Sequence, residues 1–294
     1  MKTLTKIVII IVFLFAAIGG VMFYAKTRVE PPVATKQANQ YVKDLQKIRK
    51  DLLTVGSMAQ KDSVFELALD RTLTFWKEDR IESSKMDLEM DELLNAYIPF
   101  FVKDSYTKFS QSVWHESDHE RMLKVIAELG KVTHADNKPA LNKSQKDSLS
   151  YIRDDVIMKY REAKALCKKT TFTNVKEAET WINQARQYAN DTWLKNCTSL
   201  VKALNNIKPA LAQSHYNFVG KEIDKLSLYE KQSEEFYMDK LLPRVRDFIN
   251  EYDNNATKLY GSKRDVNDLR SRMNNYRKEA ESYYLAEKNS QANE

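Results

Sequence analysis

Residues 41–59, YVKDLQKIRKDLLTVGSMA, decide the fold class. Tyr41, Leu45, Ile48, Leu52, Val55 and Ala59 follow one another at intervals of four and three. Residues so spaced share one face of an α-helix, whereas a strand would place its apolar residues at every second position. Lys43, Asp44, Lys47, Arg49, Lys50 and Asp51 fill the gaps and solvate the other faces.

The same period runs on to the C-terminus. A shorter helix is predicted from about Asp62, with Val64, Leu67, Ala68, Leu73 and Trp76 along its stripe. Met86, Met90, Leu93, Leu94 and Tyr97 mark another. After Pro99, read as a start or kink, Val102, Tyr106, Phe109 and Val113 line one face, which Leu123, Ile126 and Ala127 resume. Later stripes carry Leu149, Ile152 and Val156, then Ala178, Ile182 and Ala185, then Val219, Ile223, Leu226 and Phe236. The last holds Val266, Leu269, Met273, Tyr276, Ala280 and Tyr283. Asn174 with Glu177 reads as a capping box, and Gly261 as a helix stop before a Ser262 cap. Six glycines and six prolines in the whole chain are too few for a sheet protein, which needs a turn about every 8–12 residues.

Ahead of the body stands Ile7–Ala25, IVIIIVFLFAAIGGVMFYA, without a charge. As a helix it would be about 29 Å long, enough to cross a bilayer core. The apolar run outlasts a signal-peptide core of roughly 7–15 residues, so it reads as an uncleaved anchor. The expected architecture is therefore all-α. A short tail (1–6) leads to a single transmembrane helix (7–25) and a Pro31-Pro32 linker (26–32). An elongated body of two consecutive bundles follows, 33–136 and 144–290, parted by the loop His134–Ser144. The basic tail before the run, with Lys2 and Lys6, places the chain as a single-pass membrane protein with an extracytoplasmic body.

Net charge is +6, and Lys2, Lys6, Lys26 and Arg28 by the span supply much of it. The body is nearly balanced and lacks the concentrated basic face that nucleic acid requires. Cys167 and Cys197 are the only cysteines. A straight helical hairpin would hold them about 30 Å apart, too far for a disulfide, so two buried free thiols are expected.

One segment has the spacing of a metal site. His115-Glu116-Ser117-Asp118-His119 matches H-E-x-x-H. On a helix, residues four apart share a face, so two imidazoles can ligate one zinc while the intervening Glu serves as general base. A third ligand is not marked, Asp118 is an unusual charge inside the motif, and Met122 and Val125 stand where a longer motif needs Gly and His. A solvated turn accounts for the same polar run, and a pH-sensing pair is a further use of it. His134 and His215 are lone histidines, Trp76, Trp114, Trp181 and Trp193 fall at core spacings, and Glu234, Glu235 and Asp253 read as helix-face charge.

The functional expectation is a membrane-anchored helical interaction or scaffold protein without catalytic activity or cofactor. Its helical faces would meet a protein partner or a second copy. The alternative is a membrane-bound, peptidase-like zinc hydrolase in which His115 and His119 hold the metal and Glu116 is the base.

Overall fold

The computed structural model describes residues 35–261 and 266–291. It is 82% helical, and among the described residues there is no strand, so the chain is all-α. No helix of the described residues is long and apolar enough to cross a membrane. The expected span Ile7–Ala25, its flanks and Ser262 lie outside the described residues.

The chain divides into two compact units. One holds the described residues up to Tyr97 together with Thr133–Ala140, and the other holds Ile98–Val132 and the chain from Leu141. The loop after His134 therefore does not part the units; most of it belongs to the first. Asp91 meets His134 Nε2 at 2.8 Å, and Asp87 accepts from the Ala135 N–H at 2.7 Å.

The first unit is built on α1 (Thr35–Thr54), α2 (Met58–Lys77) and the leading part of α3 (Ser83–Phe109). Leu45 and Leu52 are buried as their spacing requires, but α1 stops at Thr54 and Ala59 is exposed on α2. The break has a local cause. Ser57 caps α2 by accepting from the Gln60 N–H, and the Gln60 side chain accepts from the Ser57 N–H. Two orphan donors of the first turn are thereby satisfied, so Ser57→Ala should lower stability by about 1 kcal/mol in denaturant titration. A change within 0.2 kcal/mol or so would show that the cap carries little.

The buried stripe of α2 is Lys61, Phe65, Ala68, Thr72 and Phe75; it shares Ala68 with the expected one, while Val64, Leu73 and Trp76 are half-buried and Leu67 is exposed. Polar residues occupy core positions because local backbone satisfies them. Lys61 Nζ donates to the Leu52 carbonyl at 2.8 Å and Thr72 Oγ1 to the Ala68 carbonyl at 2.8 Å. Met86, Met90, Leu93, Leu94 and Tyr97 fill the facing side of α3. Phe65 stacks on Tyr97, centroids 4.2 Å apart, and Arg49 pairs with Glu89 at 2.6 Å.

In the second unit α3 runs on through Pro99 without a break. Its buried face is Ile98, Phe101, Ser105 and Phe109, and Val113 is exposed beyond it. Then come α4 (Glu116–Leu129) and α5 (Lys143–Ser150), a π-helical stretch (Tyr151–Met158) and α6 (Lys159–Leu166). Helix α7 (Val175–Ala189) follows, with α8 (Thr198–Asn205) and α9 (Ile207–Asp224) behind it. Asn174 caps α7 by accepting from the Glu177 N–H, one half of the expected box. A 3₁₀ turn (Lys225–Lys231) leads to the short α10 (Glu234–Phe236). A second π turn (Tyr237–Leu241) then meets α11 (Leu242–Asn255), restarted with Pro243 in its first turn. A third (Ala256–Tyr260) closes on Gly261, whose φ of 72° is left-handed, before α12 (Val266–Gln291). Along α12 the buried residue near the end is Tyr284, not Tyr283.

The wide turns have a packing signature. Val156 and Ile157, neighbours in sequence, are both fully buried. A regular helix turns about 100° between them, whereas the i→i+5 turn lets both face the core.

Candidate functional site

The H-E-x-x-H segment sits where α3 gives way to α4 in the second unit. His115 is the N-cap of α4, exposed, with extended backbone (φ −102°, ψ 129°) and no side-chain capping bond. Its side chain therefore leaves the helical register that the spacing argument assumed. His119 is in the helix and only 3% exposed. The motif does not place its two imidazoles in one environment.

His119 belongs to an aromatic cluster. Its ring stands edge-on to Trp114 (5.5 Å, 87°) and to Tyr160 (4.8 Å, 78°), with Phe109 at 6.1 Å. Trp114 is fixed by its Nε1–H, which donates to the Gln111 carbonyl at 3.0 Å. The far wall comes from the reversal after α7. Asn196 Nδ2 donates to the Phe109 carbonyl at 3.2 Å, and the Thr198 N–H to the Ser112 carbonyl at 3.1 Å. Trp193 stacks on Tyr106 at 5.1 Å and meets Phe109 at 6.1 Å. Burial holds the His119 pKa down to about 4, against the opposing pull of Asp118, so the ring is neutral at pH 7.

Glu116, the expected general base, is held in an ion pair. Its side chain is 63% exposed and pairs with Lys164 of α6. The hydrogen bond and charge of that ammonium hold the carboxyl below its usual range, which weakens it as a base. Asp118 pairs with Lys108 at 3.0 Å. Between α4 and α6 lies a cleft of about 230 Å³ lined by Glu116, His119, Glu120, Tyr160 and Arg161. Burial, and then the nearby Cys197, push the Tyr160 phenol up, so it is a neutral donor.

Among the described residues no three His, Cys, Asp or Glu side chains are placed to hold a metal. Catalytic zinc needs three protein ligands and a water. The two histidines should therefore respond differently to removal. His115→Ala should change stability by no more than about 0.5 kcal/mol, and His119→Ala should cost about 2 kcal/mol or more. Metal analysis of the same preparations should find no stoichiometric zinc. One zinc per chain, lost together in both variants, would restore the hydrolase reading.

The remaining candidates take structural places. His215, fully buried, stacks on Phe172 at 3.8 Å and 4°, with Nδ1 3.1 Å from the Tyr260 hydroxyl. Its Nε2 is sealed off without a partner, and burial holds its pKa down to about 4. Trp76 donates to Ser83 Oγ at 3.2 Å, Glu234 pairs with Lys288 at 2.6 Å, and Asp253 with Arg270 at 2.7 Å. Both cysteines are free, Cys197 buried and Cys167 partly so. Sequence reading missed Tyr160, Arg161 and Lys164. They lie on α6, and nothing local ties them to α4.

No protein-family model, curated protein or solved structure matches the chain, so function rests on the geometry.

Proposed function

We propose that the chain is a non-enzymatic helical interaction module, anchored in a membrane by Ile7–Ala25 with its body outside the cytoplasm. The observation that supports it is a set of three exposed apolar side chains carried on neighbouring segments of the second unit. Tyr284 donates to the Tyr229 carbonyl at 2.8 Å, and the Tyr229 and Tyr283 rings lie 5.6 Å apart, so the end of α12 packs on the turn before α10. On these packed segments Leu228 and Phe236 are each 46% exposed and Leu285 is 61% exposed. Exposed apolar side chains on segments that pack together offer a surface for another macromolecule. The uncharged N-terminal run supplies the membrane attachment.

Photo-crosslinkers at Phe236 and Leu285 of the full chain, in its own membrane, test the reading. A discrete protein adduct should form at both positions, be missing at exposed Lys146, and vanish when Leu228 is changed to Asp. The anchor is tested on the same material, because mass analysis should find the N-terminal segment intact. Absence of any protein adduct would defeat the interaction reading, and a mature chain beginning near Gly20 would defeat the anchor.

A further inference from the structure

The cleft between α4 and α6 has unspent hydrogen-bonding capacity. His119 and Tyr160 are each more than nine-tenths buried, at 3% and 7% exposed. Neither the His119 ring nitrogens nor the Tyr160 hydroxyl meets a hydrogen-bond partner among the described residues, and both side chains line the cleft. Unlike His215 Nε2 they are not sealed in the core, so their polar atoms open on the cleft. A neutral imidazole offers one donor and one acceptor, and a phenol one donor.

The charges at the rim are of both signs. Glu116 is taken up by Lys164. Glu120 and Arg161 form no ion pair or hydrogen bond among the described residues, so one anion and one cation face the same space. A simple anion would meet Arg161 but be opposed by Glu120, and a simple cation would meet the reverse. A metal ion lacks a third ligand there. The volume, about 230 Å³, lies below the roughly 300–1,000 Å³ of drug-sized sites, so the occupant is small.

We infer that this cleft binds a small zwitterion, a carboxylate and an ammonium on one short carbon frame, of the class of a free amino acid. Arg161 and the Tyr160 hydroxyl take the carboxylate, Glu120 takes the ammonium, and His119 Nε2 or Nδ1 completes the floor. The site is separate from the exposed surface around Leu285 and stands or falls apart from it.

Calorimetric titration of the full chain in detergent with a panel of free amino acids tests the assignment. At least one should bind. Its α-hydroxy acid, which lacks the ammonium, and its amide, which lacks the carboxylate, should each bind about tenfold more weakly. Arg161→Gln should abolish the preference over the amide, and Glu120→Gln the preference over the hydroxy acid. Both residues are exposed, so both variants should keep the wild-type circular dichroism. No binding by any amino acid up to about 10 mM, equal binding of the analogues, or indifference to both substitutions would mean that the cleft holds only water.

Discussion

As pH falls from 6.5 to 5 the protein should lose stability with a steepening slope that approaches about 1.4 kcal/mol per pH unit for each of two histidines. His119 and His215 are both buried, and burial holds both folded-state pKa values down to about 4. In the unfolded chain both return to about 6.5. Above that pH both states are neutral and the histidines add no slope. As pH falls below it, the unfolded chain takes up protons that the folded chain refuses, so unfolding is favoured. The loss continues until the folded pKa is reached and totals about 3 kcal/mol per histidine. Nothing nearby rescues either ring. His215 faces the Tyr260 hydroxyl and stands edge-on to the Tyr252 ring, both uncharged, and burial alone sets its shift. His119 faces Asp118 and Glu116, which favour the proton, but burial outweighs them, and Arg161 and Lys164 oppose it. Urea titration at a series of pH values reads the slope directly. The double variant His119→Gln, His215→Gln should flatten it over this window, where ordinary carboxylates remain ionised. A flat wild-type profile would show that the folded state protonates both rings without penalty.

Phe109→Ala should cost about 3–5 kcal/mol, enough to threaten the second unit at ordinary temperature. Phe109 is fully buried and touches the rings of Trp114, His119 and Trp193. Its own carbonyl also receives the Asn196 side chain, so it joins the end of α3 to the turn before α8. Removing the ring leaves a void that three large aromatics cannot all close at once. A second effect should accompany the first. The void lets the His119 ring shift or take up water, so its pKa should rise toward 6.5, visible by NMR titration. A cost below about 1 kcal/mol would show that the aromatic cluster collapses around the gap.

The helical class was legible because stripes such as Met86, Met90, Leu93, Leu94 and Tyr97 carry only apolar residues. Boundaries and faces were legible where the stabilising partner is local. The Ser57–Gln60 box could have been read from the spacing of those two residues, and it explains why the seam does not continue to Ala59. The α2 stripe was misread because Lys61 and Thr72 look like surface residues. Only the structure shows the backbone carbonyls that satisfy them. His119 illustrates the same problem at the candidate site. With Met122, Ile126 and Leu129 it forms a buried stripe at intervals of three, four and three. A histidine inside the H-E-x-x-H spacing invites a metal reading before a core reading. Tyr160, Arg161 and Lys164 were illegible in principle, since a single sequence does not say which helix faces α4.

The π-helical stretch before α6 makes the cleft sensitive to chain length. Tyr151–Met158 accommodates an extra residue per wide turn, and Tyr160, Arg161 and Lys164 all lie beyond it. A substitution in that stretch that keeps the helix leaves the residue count, and so their direction, unchanged. Deleting one residue, such as Ile157, would let the turn relax to regular α-helix and rotate everything downstream by about 100°. Arg161 and Tyr160 would swing off the cleft although no residue lining it had been altered. Single-residue deletion there is thus a frameshift in space, and descendants of this gene that keep the cleft must keep the length of this stretch.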